Sequence, residues 1–174
     1  DNSVVWWPGP EALVGTSAAP WMFVKGLGSS GDTGTIDDNY PAALFFLYFE
    51  PDLLNAMLRP INTFMAGRTH RGPSSPWPFN VSWGYNYSIH YLGQYPIAEL
   101  QCWPNSDPAW CTPDTCSVAP CEGMPLEMTA DNLQMTAAAA LVSADFTTVE
   151  QFWPQMQQYA DYLVGNGLVP AWQL

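Results

Sequence analysis

Positive charge is nearly absent from this sequence. Only four of its 174 residues are basic, Lys25, Arg59, Arg68 and Arg71, whereas sixteen are acidic, and the formal net charge is −12. Charged residues of both signs make up 11% of the chain, well below the roughly 25% of an average soluble domain. An acidic surface repels phosphate groups, so neither nucleic acid nor an anionic membrane surface is an expected partner.

Long apolar runs are missing too. The longest lie at 42–49 and 137–142, far short of the roughly 20 residues that span a bilayer, so no membrane span is predicted. Residues 1–10 have neither the basic start nor the apolar segment of a secretion signal, so we expect any such signal to have been removed already. Aromatic residues, by contrast, make up 14% of the chain, which is too much apolar surface for a disordered protein.

The cysteines are few but clustered. Cys102, Cys111, Cys116 and Cys121 follow a C-x8-C-x4-C-x4-C pattern in a segment rich in Pro, Asp, Ser and Thr. The pattern lacks the C-x2-C pairs of structural zinc sites, so it favours two local disulfides, with all three possible pairings open. Two sequons begin at Asn80 and Asn86 and predict N-linked glycans. Together these features indicate a secreted, extracellular protein.

The organisation along the chain predicts one domain or domain fragment over residues 1–174. It divides into a lead-in with an acidic, glycine-rich loop (1–40), a kinked helical segment (41–67), a glycosylated and disulfide-bonded loop (68–124) and a helical hairpin (125–174). A short helix is expected at 11–14, and the run 21–24 fits a strand or a core turn.

Periodicity identifies the helices. Pro51 suits the first turn of a helix, Pro60 should kink it and Gly67 should end it. Its apolar face is predicted to comprise Leu53, Leu54, Met57, Leu58, Ile61 and Met65.

A second helix is predicted from Pro125 to about Ser143, and a third begins with a capping box at Thr147 and Glu150. The apolar stripe of that third helix is predicted to comprise Val149, Phe152, Trp153, Met156, Ala160 and Leu163. Pro154 should kink its first turns, and Gly165-Asn166-Gly167 should stop it. The short connection makes the last two helices an antiparallel hairpin, so the fold class is mainly α.

Two motifs in the glycine-rich loop resemble functional motifs of other proteins but lack the surroundings that those motifs need. Residues 26–31 spell G-x-G-x-x-G, but an acidic, turn-forming stretch follows where a dinucleotide site needs a helix. Residues 32–35 spell D-T-G-T, which acts in aspartic proteases only opposite a second carboxylate. Asp32, Asp37 and Asp38, with Asn39 beside them, could hold calcium, although a solvated acidic loop is favoured. No cofactor or metal is therefore expected.

Four blocks resemble the glutaminase A family. Residues 23–37 are similar to its F-L-K-E-I-S-S-x-G-x-x-x-T-V-D, and residues 41–60 follow its P-A-x-x-F-F-L-Y-x-x-P-D-L-L-x-x-x-L-x-P. Residues 90–96 resemble its H-D-L-G-x-Y-P motif. The fourth block joins residues 124–127, similar to M-P-V-E-E, with 152–154 and 160–164, which resemble Y-W-P and A-D-Y-L.

This resemblance implies part of an α/α toroid of helical hairpins that hydrolyses L-glutamine to glutamate and ammonia without a cofactor. Glu127 and Asp37 would then activate water and protonate the leaving amine, and His90 would orient or share the proton. At four polar positions the chain departs from the family: Tyr91 replaces Asp, Ile97 replaces Asn, Met128 replaces the second Glu, and Ala130-Asp131 replaces Gly-Asn.

Two other functions remain open. The chain keeps the apolar residues of the family blocks but has lost several of their polar residues. This pattern also fits a non-catalytic, glycosylated structural or assembly protein, whose exposed helical face is covered by other chains or copies. Aromatic residues between Trp77 and Trp110 could stack on sugars in a carbohydrate-binding module, or could form a small core under the disulfide loop.

Overall fold

The computed structural model describes residues 4–7, 21–26, 32–65, 86–92 and 124–168. Several sequence predictions concern residues outside these ranges. They are the short helix at 11–14, all four cysteines, Asn80, Trp77 and most of the predicted loop at 68–124. Helices dominate the described part, and none of them is both long and apolar enough to cross a membrane.

Two short strands open the described structure. β1 (Val4–Trp7) pairs antiparallel with β2 (Trp21–Val24), with Val4 opposite Val24 and Trp7 opposite Trp21. The run at 21–24, which the sequence left open between strand and core turn, is therefore a strand. β1 had no counterpart among the sequence predictions.

Extended pairing continues beyond β2 and positions the segment before the first helix. The Gly34 N–H donates to the Val24 carbonyl at 2.8 Å, and the Leu92 N–H donates to the Thr33 carbonyl at 2.8 Å. Residues 32–36 are thus held between the end of β2 and residues 90–92. Gly34 has φ +65°, and a Cβ there would lie 3.0 Å from Leu92 Cδ1, so this close approach requires glycine.

The first two helices differ from the predicted loop at 1–40 and from the single helical segment predicted at 41–67. α1 (Ile36–Phe49) begins inside the region 1–40 that was expected to be irregular, and α2 (Pro51–Met65) follows after a break at Glu50. The assignment of 36–40 to a loop was wrong because Asp37 and Asp38 lie in the first turn of α1, where the positive helix end favours acidic residues. α2 begins at Pro51 as predicted and continues through Pro60.

The predicted apolar face of α2 is confirmed. Leu54, Met57, Leu58, Ile61 and Met65 are buried, and Leu53 packs against the same core. This core also takes in residues from the other helices and from 89–92, including Ile36, Ile89, Leu92, Met128, Met135, Phe152, Met156 and Tyr159.

The last three helices are α3 (Pro125–Ser143), α4 (Thr147–Gln151) and α5 (Trp153–Asn166). The bounds of α3 agree with the prediction, whereas the region after it forms two helices that meet at Phe152 instead of one kinked helix. The predicted capping box is also wrong. Thr147 is the first helical residue and follows Phe146 at the N-cap, whose side chain makes no capping bond. The Thr147 N–H donates instead to Oδ1 of Asp145, one residue before the N-cap, at 2.9 Å.

The buried side of α4 and α5 differs from the predicted stripe. Phe152 and Met156 are buried as expected, but Trp153 and Ala160 are exposed, and the polar residues Thr148 and Gln155 are buried with Tyr159. The buried face of these two helices therefore includes polar side chains that periodicity alone assigns to solvent.

The α3–α5 hairpin is antiparallel. The Ser88 N–H donates to Thr129 Oγ1 at 2.9 Å, near the start of α3, and the Tyr159 hydroxyl, midway along α5, also bonds to Ser88. Farther along α5, the ring centroid of Tyr162 lies 5.2 Å from that of Tyr87, the neighbour of Ser88. The end of α5 thus lies beside the beginning of α3, as the short connection predicted.

Candidate functional site

The backbone brings His90 to the start of α1. The Ile36 N–H, at the first residue of α1, donates to the His90 carbonyl at 2.9 Å. With the backbones joined in this way, His90 Nε2 lies 3.2 Å from Asp37 Oδ1, and the side chains of His90 and Asp37 are 18% and 35% exposed. The hydrogen bond from His90 lowers the pKa of Asp37, outweighing the opposing effect of partial burial.

α3 contributes acidic residues to the same place. Glu127 is exposed in the first turn of α3, and Asp131 follows one turn later, so the two lie on one side of the helix. Gln134 continues that side, and its Oε1 accepts a hydrogen bond from the Tyr40 hydroxyl of α1 at 2.9 Å. Since Tyr40 is three residues beyond Asp37, the beginnings of α1 and α3 lie at the same end.

Asp131 has the most perturbed environment of these groups. It is only 8% exposed. Desolvation, with the charges of Glu127 and Asp37 adding to it, raises the pKa of Asp131 to about 6. These electrostatic effects connect the two helices, and we call Asp37, His90, Glu127 and Asp131 together the acid–imidazole cluster.

A buried polar network supports the segment that carries His90. Asn132 Nδ2 donates to Ser88 Oγ at 3.1 Å, and Gln155 Nε2 donates to the Tyr159 hydroxyl at 2.6 Å. Ser88, Asn132 and Tyr159 are almost completely buried. Because buried polar groups are costly when unpaired, these bonds fix residues 86–92 against α3 and α5.

Of the three proposed catalytic residues, the structure pairs Asp37 with His90, and Glu127 lies one helical turn before Asp131, on which the charges of Glu127 and Asp37 both act. Asp131 was not among the candidates, although its spacing of four residues from Glu127 is a usable signal once a helix over 125–143 is predicted. The carboxylate of Asp37 pairs with His90, and no group of three or more His, Cys, Asp or Glu side chains in the described part of the chain is arranged to hold a metal ion. Asn86, at the start of the second sequon, is exposed.

This arrangement suits proton transfer. It offers an imidazole oriented by a carboxylate, an exposed carboxylate and a buried carboxyl group whose pKa is raised towards neutrality. Groups with such separated proton affinities can act as base and acid in the hydrolysis of an amide or a similar bond.

Comparisons with known proteins agree on one family. The model of the "Glutaminase A six helical-hairpin domain" matches residues 7–174. The chain is 29% identical over 163 residues to "Glutaminase A" of Aspergillus oryzae, which covers 93% of this chain and 20% of that protein. It is 33% identical over 87 residues to a protein of Arthroderma benhamiae named "Probable glutaminase", covering 50% of this chain and 9% of the relative. No solved structure matches.

Proposed function

Because the chain belongs to the glutaminase A six helical-hairpin domain family, we propose that it is a glutaminase-type amidohydrolase domain whose reaction centre is the acid–imidazole cluster. Its substrate would be L-glutamine, hydrolysed to glutamate and ammonia. The observation that carries this proposal is the pairing, at the start of α1, of Asp37 with His90, which are far apart in sequence; the charge of Asp37, like that of Glu127, acts on Asp131 of α3. The chain spans only a fifth of the length of the Aspergillus oryzae relative, so the activity of that whole protein supports the proposal by analogy.

The roles follow from the geometry. His90, oriented by the carboxylate of Asp37, accepts a proton from the attacking water, and the ionised Asp37 stabilises the imidazolium that forms. Glu127 is exposed in the first turn of α3, and its carboxylate can bind the α-ammonium group of an amino acid or hold the water. Neither role requires a cofactor.

The test is ammonia release from L-glutamine by the protein and by three variants. Asp37→Asn, which disables the proton-accepting pair, should lower kcat/KM by about 100-fold or more. Glu127→Gln should also lower kcat/KM, because it weakens the binding of the ammonium group or of the water. Glu150→Gln is the matched control, because Glu150 is an exposed acid on α4 outside the cluster. Wild-type rates in Asp37→Asn, or no ammonia from the wild type, would contradict the proposal.

A second function is favoured by one surface. Leu44, Phe45, Tyr48 and Phe49 are exposed on α1 and form what we call the aromatic ridge. The ring centroids of Phe45 and Phe49 are 4.7 Å apart, and those of Tyr48 and Phe49 are 4.8 Å apart. Such a continuous apolar surface marks an interaction site, and helices of this family are built to pack on further helices, so we propose that the ridge docks against a second copy of this chain.

The assembly proposal is tested by mass in solution. The wild type should sediment as an oligomer, and Phe45→Ser combined with Tyr48→Ser should sediment as a monomer with unchanged helical content. Leu141→Ser, which changes an exposed apolar residue of α3 outside the ridge, is the control and should leave the oligomer intact. A monomeric wild type would refute the assembly.

Secretion, glycosylation, the disulfides and the membership of these hairpins in part of an α/α toroid belong to the same proposal. The four clustered cysteines and the sequons at Asn80 and Asn86 support an extracellular location. Mass spectrometry of native material before and after reduction with alkylation and glycan removal should give mass shifts for two disulfides and for each occupied sequon. Four free thiols and unmodified asparagines would contradict it.

A further inference from the structure

Oxygen atoms of three residues converge on the position that a side chain of Gly26 would occupy. A Cβ at Gly26 would lie 2.5 Å from Asp38 Oδ2, 3.1 Å from Thr35 Oγ1 and 3.4 Å from the carbonyl oxygen of Asp32. The Gly26 N–H donates to this same carbonyl at 2.7 Å, which holds Asp32 beside the start of α1. A carboxylate, a hydroxyl and a carbonyl oxygen are thus brought together where glycine leaves space.

The hydroxyl of Thr35 is the group here that points to a ligand. Thr35 is 5% exposed, and its Oγ1 is buried with no hydrogen-bond partner in the described part of the chain. Thr35 is the N-cap residue of α1, yet its side chain makes no capping bond. Because a buried, unpaired hydroxyl is costly, a ligand that binds Oγ1 removes that cost.

The three donors indicate the chemical class of this ligand. All are oxygen atoms, and one belongs to a carboxylate. Such a set suits Ca²⁺, which binds carboxylate, carbonyl and water oxygens at about 2.3–2.6 Å in a flexible geometry. The Asp32 carbonyl has a second lone pair to offer after its bond to Gly26, and the Thr35 hydroxyl can take the place of one water. Transition metals are not expected, since they prefer imidazole and thiolate ligands.

This donor set differs from the three acidic side chains that the sequence suggested. Asp37 Oδ1 lies 3.2 Å from His90 Nε2, so that carboxylate pairs with the imidazole, and the carboxylate beside Gly26 comes from Asp38. Asp32 contributes its backbone carbonyl, which a pattern of acidic side chains does not reveal. With one carboxylate among the three oxygens, the remaining coordination positions fall to water, and the binding should be weak.

We propose that Asp38, Thr35 and Asp32, arranged around Gly26, bind one calcium ion whose coordination is completed by water. The inference does not depend on the proposed function. The expected Kd is about 0.1–1 mM, the range of extracellular calcium-binding modules. The ion would join the end of β2 to the first turn of α1, and the folded protein should gain stability as it binds.

The experiment is titration of the EDTA-treated full chain with CaCl2, followed by isothermal titration calorimetry and by thermal unfolding. The wild type should bind one Ca²⁺ and melt several degrees higher at about 10 mM CaCl2, a concentration well above the expected Kd. Asp38→Asn should weaken the binding by about tenfold or more. Asp161→Asn, which removes the same charge from an exposed position on α5, is the matched control and should bind as the wild type does.

Two threonines give a second comparison. Thr35→Val keeps the shape of the side chain but removes its hydroxyl, and it should weaken Ca²⁺ binding several-fold. Thr33 Oγ1 is likewise buried without a partner in the described part of the chain, but it is not among the three atoms nearest to the Cβ position of Gly26. Thr33→Val should therefore keep the wild-type affinity. If Asp38→Asn does not fold, as judged by circular dichroism, the two threonine variants decide.

Three results would overturn the inference. The first is a wild type that binds no Ca²⁺, which would leave water as the partner of Thr35. The second is equal affinity for Mg²⁺ together with loss of binding in KCl, which would indicate non-specific attraction to a chain of net charge −12. The third is wild-type affinity in both Asp38→Asn and Thr35→Val.

Discussion

Replacing Asp131 by Asn should stabilise the protein above neutrality and leave it unchanged in acid. The substitution is nearly isosteric and removes the negative charge at a position that is 8% exposed and flanked by Glu127 and Asp37. The effect should therefore depend on pH in a way that packing changes do not.

The sign follows from the two pKa values of Asp131. The pKa of Asp131 rises from 3.8, the ordinary value for an aspartate in the unfolded chain, to about 6 in the folded protein. Below pH 3.8 the group is protonated in both states and costs nothing. Between these two values the unfolded chain is ionised while the folded protein still holds the proton, so the wild type loses stability as the pH rises from about 3.8 to about 6. A difference of roughly two pKa units corresponds to about 3 kcal/mol, reached above about pH 6.

The assay is urea unfolding of wild type and Asp131→Asn at about pH 4 and about pH 8, followed by far-ultraviolet circular dichroism. We expect a difference below about 0.5 kcal/mol at the lower pH and a gain of about 1 to 3 kcal/mol for the variant at the higher pH. Asp161→Asn, an exposed acid on α5, controls for the lowered net charge. Equal differences at both values of pH would refute the reasoning.

Three further substitutions test the local structure. Ala144 ends α3 with φ 56° and is exposed, so Ala144→Gly should stabilise the protein by about 1 kcal/mol in thermal unfolding, whereas the control Ala137→Gly, inside α3, should cost about 1 kcal/mol. Gly34→Ala should lower the melting temperature by several degrees, since the positive φ and the neighbouring Leu92 side chain both disfavour a Cβ; an unchanged value would contradict the described turn. Asp145→Asn should cost about 0.5 to 1 kcal/mol at neutral pH and nothing once Asp145 is protonated, because the hydrogen bonds from Thr147 lower its pKa; a loss that persists in acid would point to packing.

Periodicity predicted those helices whose buried faces are apolar. The face of α2 was predictable because Leu54, Met57, Leu58 and Ile61 recur at helical spacing and are all buried. The first turn of α1 at 36–40 was missed because it is acidic, and α1 was not separated from α2 within the predicted helical segment because the run at 42–49 is apolar on every side, with four large side chains left exposed. A run without a polar face has no period from which to recognise a helix.

The face of α5 was misjudged for a different reason. Gln155 and Tyr159 are buried because they bond to each other and, through Ser88, to the segment that carries His90. A hydrogen-bonded polar core offsets the cost of burial, but its partners are more than sixty positions apart in the chain. Tertiary contacts of this kind cannot be seen in a local pattern, and they place His90 beside Asp37.

The same distinction between local and tertiary effects explains why the acidic residues of the cluster differ. Asp37 and Glu127 lie in the first turns of α1 and α3, where unpaired backbone N–H groups favour negative charge, and Asp37 has His90 as well. The influence of a helix end fades within about one turn. Asp131 is one turn farther along and is buried against both of its acidic neighbours, so it receives their repulsion without that compensation. Two helices that begin at the same end thus give one carboxyl group, Asp37, a lowered pKa and another, Asp131, a raised pKa.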